Sequence, residues 1–444
     1  MISHDLEEAF LRAAAIPTNA AHVGGTLDDA NALLAAHPAL ASSSLRAAAV
    51  LGDAAAVRRF LADSTAEVAH PGGPHGWDPL TYLCFSRYLR DDPSRGDGFV
   101  DAATALLDAG ADANGGWREA DGTWESVLYG AAGLAHHEGL TRLLLARGAD
   151  PNDGETPYHA PESYDPGALR AVLESGRLTD ESLAWMVVRK SDWHDLEGLR
   201  LVLRYATALN HISFWGFTAL QHAIRRDNAL AMVELLLEHG ADPEVATPKF
   251  PLAGHALAAH RGRADVLDLI GQRAGAAALT GLAALLAACA RGDLVSARAL
   301  HDRDAGARRA LEADPGTPLA EFAGNGNTAG VACLLDLGVP IEAPYSMGDP
   351  YFGIPAASTA LQVAAWRARH DTVRLLLERG ADPNARDANG RTPLALAVRA
   401  GVDSYWAGRR EAGSITALLA SGARASDVAL PTGWAEADAL LRRA

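Results

Sequence analysis

The stretch LLLERGADPN, Leu375 to Asn384, decides how this chain folds, because it recurs. It returns as LLLARGADPN (Leu143 to Asn152), LLLEHGADP (Leu235 to Pro243) and LLDAGADAN (Leu106 to Asn114), with worn copies in LLDLGVP (Leu334 to Pro340) and LLASGA (Leu418 to Ala423). Each copy is an apolar helical run closed by a residue suited to the left-handed turn after a helix, then polar residues that steady a loop. The closing glycines stand at 110, 148, 240, 338, 380 and 422, and the two wide gaps, 92 and 98 residues, are each near three periods of roughly 33. LESG at Gly176, LRYATALN at Ala206, GQRAG at Ala274 and LHDRD at Asp304 restore the period inside them.

A second phrase sits between these loops: RTPLALAVRAG (Arg391 to Gly401), STALQVAAWRA (Ser358 to Ala368), FTALQHAIRRDN (Phe217 to Asn228) and GTPLAEFAGNGN (Gly316 to Asn327). Thr caps a first helix and Pro takes its first turn, where a missing N–H does no harm. Together the phrases resemble the ankyrin repeat, TPLHxAA opening one helix and LLLxxGADxN ending the next. The resemblance covers about residues 44 to 424, roughly eleven repeats, and implies an all-α solenoid of stacked helix-turn-helix units. Residues 1–43 read as N-terminal capping helices (Asp5 to Ala15 and Leu27 to His37, with Thr26 and Asp29 as a capping box), and 425–444 as a C-terminal cap, WAEADALLRR. Insertions interrupt the period near 88–98 (charged, read as a flexible loop), 341–357 (rich in Pro, Gly and Tyr) and 402–413 (with Tyr405 and Trp406).

Composition narrows the function classes. The formal charge is −16, with no basic tail, so nucleic-acid coating is not expected. Cys84, Cys289 and Cys333 are too few and scattered for a disulfide framework or zinc finger, which suits a reducing cytoplasm. The opening MISHDLEEAFLRAAA lacks the basic n-region of a secretory signal, and the alanine-rich stretch from Ala276 to Ala290 is broken by Gly281, so no membrane association is expected.

The resemblance implies that the concave face is built from the turn residue before TPLH and the two residues after AA. Those positions hold Arg87 in the second repeat, Glu162 and Ser163 in the fourth, then Arg189, Lys190, Arg225, Arg226, His260, Arg261 and Arg291, with Trp366, Arg367 and Arg399 further on. A positive inner stripe on an acidic body predicts an acidic peptide face or a small anion as ligand; the plainer reading is solvated arginines. Trp77 and Phe217, at turn tips and flanked by His75, Phe214 and Trp215, read as aromatic anchors or as rings packed on neighbouring turns.

The third to fifth repeats break the rule. Tyr129 and His159 occupy the family's TPLH histidine position, Pro161 shortens a first helix, and SDWHD (Ser191 to Asp195) is inserted before a second. Trp193 and His194 join the candidate ligand contacts; Asp192, His194 and Asp195 are a weaker metal or acid–base alternative. No P-loop, GxSxG, HExxH or strand-borne GxGxxG is present, so no catalytic residue, metal or cofactor is assigned. The leading expectation is a monomeric, non-enzymatic scaffold binding a protein partner with an acidic or aromatic-rich surface. The rival is a small-molecule binder or enzyme whose pocket sits on the irregular repeats beneath Tyr88 to Gly98.

Overall fold

The computed structural model describes residues 2–16, 24–275, 278–404 and 406–444; Ala276 and Tyr405 lie outside them. The chain is an all-α repeat solenoid that divides into two compact units, Met1–Trp215 and Gly216–Ala444.

In the first unit the repeats are the helix pairs Leu45–Val50 with Ala54–Asp63, Pro79–Cys84 with Gly96–Asp108, Val127–Tyr129 with Glu138–Ala146, Glu155–His159 with Gly167–Glu174, and Asp180–Asp192 with Leu196–Val202. Helix starts follow the expected chemistry, though Asp often replaces Thr as the cap. Asp78 accepts from Thr81 N (2.9 Å) and Asp153 from Thr156 N (2.7 Å). In three of the five repeats the chain turns between its helices through a left-handed residue: Gly52 at φ +66°, His136 at φ +47° and His194 at φ +51°. A two-stranded hairpin, Gly116–Arg118 against Trp124–Ser126, projects before the third repeat and pairs Trp117 with Glu125.

Two expectations for this unit change. Residues 88–98 are not a loose loop: they form the helix Arg87–Asp91 and a short turn Pro93–Arg95, with Tyr88 and Leu89 buried in the core. The Tyr88 hydroxyl reaches Asn31 and Arg95 reaches the Leu51 carbonyl, so the insertion is fastened to the N-terminal helices and the first repeat. Nor does Thr26 build a capping box. The helix Asp28–Ala36 has no side-chain cap at Leu27, and the Thr26 hydroxyl bonds instead to Asp28.

The second unit stacks Ala219–Arg225 with Leu230–Glu238, Gly254–His260 with Ala264–Ala274, Gly281–Ala290 with Leu294–Arg303, Gly316–Asn325 with Thr328–Asp336, Ala360–Trp366 with His370–Glu378, and Pro393–Val402 with Gly413–Ala420, before the final helix Ala435–Leu441. Thr218 with Gln221 and Thr359 with Gln362 close reciprocal capping boxes. Where the sequence suggests a loop at Asp304, a further helix, Ala305–Ala313, follows, because the Asp304 carboxylate caps Gly306 N and Ala307 N (both 2.9 Å). The insertion 341–357 is a folded strap. Backbone bridges join Tyr345 to Ser358 and Asp349 to Ile354, and Tyr345, Phe352 and Ile354 are buried.

Candidate functional site

In the first unit, the third to fifth repeats carry a chain of alternating charges. His159, at the end of Glu155–His159, places Nε2 3.2 Å from Glu155 and Nδ1 2.8 Å from Glu162. Glu162 also binds Arg189, whose other nitrogen meets Asp192 at 2.6 Å. Burial alone would lower the His159 pKa, but the two glutamates outweigh it and hold it up at about 9. Burial likewise opposes ionisation of Glu162, yet His159 and Arg189 leave its pKa lowered. Beside them, on the hairpin, stands Glu125, 2% exposed, with Oε2 buried and without a hydrogen-bond partner. Burial, then the carboxylates of Glu155 and Glu119, push its pKa up to about 8, against a partial pull from His159.

Rings surround this cluster. Tyr129 is buried and lies 5.1 Å from His159 by centroids. Tyr158 takes the Arg189 guanidinium on its face at 4.1 Å and leads to Trp215 at 5.9 Å. Trp215 leads to Phe214, which is 66% exposed.

The expected roles of other residues here differ. Trp77 is no exposed anchor: it is buried against Trp117, Phe85 and Tyr82 and stacked on His75. Arg87 donates to the Ala15 and Thr26 carbonyls (2.8 and 3.1 Å), pinning the N-terminal helices. Lys190 is buried, with Nζ 2.7 Å from both Asp195 and the Ser163 carbonyl. SDWHD is not a separate loop. The first helix runs on through Asp192, His194 makes the left-handed turn, and Asp195 caps the next helix through Gly198 N. Trp193 offers its carbonyl to the Tyr164 hydroxyl and its ring edge to that ring.

In the second unit the signs reverse. Asp227, at φ +52° where other repeats turn through glycine, is buried between Arg261 (2.7 Å) and Arg367. Burial would raise its pKa, but Arg261 and Arg367 hold it well below the usual carboxylate range. Arg261 also binds Glu321 (2.6 Å) and approaches Asp349 of the strap (3.9 Å), while the Tyr345 hydroxyl donates to Glu321 at 2.5 Å. Phe352 packs under Arg367, and Trp366 donates its indole N–H to the Phe352 carbonyl (2.6 Å). The expected positive stripe is therefore largely committed internally: Arg261 and Arg367 are buried ion-pair partners and Trp366 is buried beneath the strap.

Arg226 lies on the Tyr351 ring at 3.3 Å. Arg225 lies over Phe250 (3.9 Å) and Phe217 (5.5 Å), with Nη1 buried and lacking an acceptor. Phe217 is itself buried and stacked on His222. His260 is half-buried, and burial lowers its pKa. Positive charge is in excess: burial, then Arg409 and Arg367, bring Arg369 down to about 9.

Sequence reasoning missed Glu125, Asp227, Glu321 and Asp349. Asp227 left a signal, an acidic residue at a turn that glycine serves in neighbouring repeats. Glu125 left none, since the hairpin was not foreseen.

The family model for ankyrin repeats, in three copies, matches residues 284–387, and the single-repeat model matches residues 215–248. A putative ankyrin repeat-containing protein of Treponema pallidum (strain Nichols) is 38% identical over 96 residues, 21% of this chain and 30% of that protein. The ankyrin repeat and SOCS box protein 3 of Bos taurus is 34% identical over 85 residues, 18% of this chain and 16% of that one. The chain thus spans less than a third of the length of these curated relatives. Among solved structures, the human ASB11 ankyrin repeat domain covers 53% of this chain and 96% of its own at 20% identity, with a TM-score of 0.24. The ankyrin repeat domain of Bcl-3 covers 52% and 97% at the same identity and TM-score. Residues 215–248 and 284–387 are ankyrin repeats, and helix pairs of the same kind recur outside them.

Proposed function

We propose that this protein is a non-enzymatic recognition scaffold that docks a protein segment on the inner face of its second unit. The observation that carries this reading is Arg225. Its guanidinium is sandwiched against Phe250 and Phe217 with a buried N–H that has no acceptor. An unsatisfied buried donor on a charged group costs free energy, and a partner's carboxylate offsets that cost. The strap's Asp349 and Tyr351, which already serve Arg261 and Arg226, support a partner that is acidic and aromatic-rich. A phosphate or carboxylate is the smallest ligand of the same chemistry. Net charge of −16 opposes nucleic acid as the partner. The protein works as a monomer in the cytoplasm on this reading, where its three free, buried cysteines suit a reducing milieu.

Calorimetric titration with a blocked peptide bearing aspartate and tyrosine tests it. Arg225→Glu is expected to weaken binding at least tenfold and to remove its salt sensitivity. Unchanged affinity in that variant sinks the assignment.

A further inference from the structure

Several carboxylates of the first unit gather around Glu125 from two neighbouring elements. Glu125 projects from the hairpin, Glu155 and His159 from the facing helix, Asp153 from the loop before that helix and Glu119 from the hairpin turn; all four influence the Glu125 carboxyl. Tyr129 is buried beside these carboxylates. His159 is the one cation among these groups, and it is already shared between Glu155 and Glu162. Asp153 is likewise engaged, by Ser126 and by Thr156 (2.8 Å). Glu125 remains, 98% buried in effect at 2% exposure, with Oε2 unpartnered. A carboxylate oxygen so placed is costly unless a donor reaches it.

The mouth of the cluster is accessible, since the side chains of Glu155, His159 and Glu162 are 27%, 25% and 21% exposed. Next to it runs the ring series Tyr158, Trp215 and Phe214, the last largely in solvent. An apolar, π-faced ledge beside a carboxylate recess suits a long side chain with an apolar stem and a cationic head. Among the described residues no three His, Cys, Asp or Glu converge as metal ligands do, so the cation that fits is organic.

We propose that the recess formed by Glu125 and Glu155 receives the cationic head of a basic side chain from a protein partner, its stem lying on the Tyr158–Trp215–Phe214 ledge. The site is separate in residues and in charge from the Arg225 face. Docking carries a proton balance. The Glu125 carboxyl, held up at about 8, is mostly protonated at neutral pH, and a docked cation ionises it and releases that proton to solvent. Affinity therefore rises with pH through that range.

The test is calorimetry of the full chain with blocked dodecapeptides rich in arginine, in lysine or in uncharged citrulline, in buffers of different ionisation heat. The arginine and lysine arms distinguish a guanidinium from an ammonium head. The expected result is binding by at least one basic peptide and not by citrulline. Release approaches one proton at pH 7, and Kd tightens more than tenfold between pH 6.5 and 8.5. Glu125→Gln, which keeps the shape of the neutral acid, should abolish proton release and weaken binding at least tenfold at pH 8.5; Glu155→Gln, more exposed, should weaken it too. Arg225→Glu should leave basic-peptide binding intact, so failure here is distinguishable from failure of the acidic-partner reading. Equal binding of citrulline, unchanged Kd and proton release in Glu125→Gln, or no binding of either basic peptide at millimolar concentration overturns the proposal.

Discussion

The inner regions of the two units are made from the same repeat yet solve opposite electrostatic problems. In the first, carboxylates outnumber cations around an imidazolium, and burial together with that surplus raises the Glu125 pKa to about 8. In the second, guanidiniums outnumber carboxylates around Asp227, and burial together with that surplus presses the Arg369 pKa downward. The repeat sets where side chains project, while the sign of the surface is set by the turn residues and insertions laid over it. The second unit also answers its charges with its own strap, whereas the first leaves Glu125 Oε2 and the exposed Phe214 unmatched.

The hardest blow to this contrast is removing its anionic hub. Asp227→Asn leaves Arg261 and Arg367 buried without their shared counter-charge, and breaking such a pair costs about 3–5 kcal/mol. Chemical denaturation should read that loss. Hydrogen exchange should accelerate around residues 219–238, 254–274 and 341–367 and stay unchanged in the first unit. A loss under about 1 kcal/mol means the network is not what holds the strap.

The next effect is the pH edge of each unit. Glu125 is raised from its ordinary 4.5 to about 8, so its contribution is full below 4.5 and is lost as pH climbs through 8. His159 is raised from 6.5 to about 9, and its contribution is full below 6.5 and is lost through 9. Asp227 is depressed, so its contribution is present above 3.8 and is lost as pH falls below that value. The first unit is expected to soften in alkali and the second in acid, by hydrogen exchange at pH 3, 6 and 9. Glu125→Gln should raise stability at pH 9 by about 2 kcal/mol or more, at roughly 1.4 kcal/mol per unit of displacement, with little change at pH 4. A variant that is less stable at pH 9 refutes the neutral-acid assignment.

These effects also mark where the sequence was readable. The apolar runs and closing glycines act locally, within one helix and its turn, so helix pairs such as His370–Glu378 after Ala360–Trp366 were legible. The arginine positions were legible too, but their partners were not. Arg367 meets Asp227 from four repeats away and Arg261 meets Glu321 from two, distances over which no local pattern carries information. Trp77 and Phe217 were left between anchor and packed ring, because a turn-tip position says nothing about whether Trp117 or Phe250 will return to cover it. The helix Ala305–Ala313 is hidden behind LHDRD, which reads as a worn loop although Asp304 is a good helix cap.

The smallest effect separates surface kept for packing from surface kept for contact. Phe214 is 66% exposed, with its ring tilted over Trp215 and edge-on to Trp185, so Phe214→Ser should change stability by no more than about 0.5 kcal/mol. If the ledge receives the stem of a basic side chain, the same variant should weaken basic-peptide binding several-fold without altering proton release, because Glu125 is untouched. Loss of stability without loss of binding would make Phe214 a packing residue of the first unit. It would also shift the cation-binding assignment wholly onto the carboxylates, where charge alone must supply the specificity.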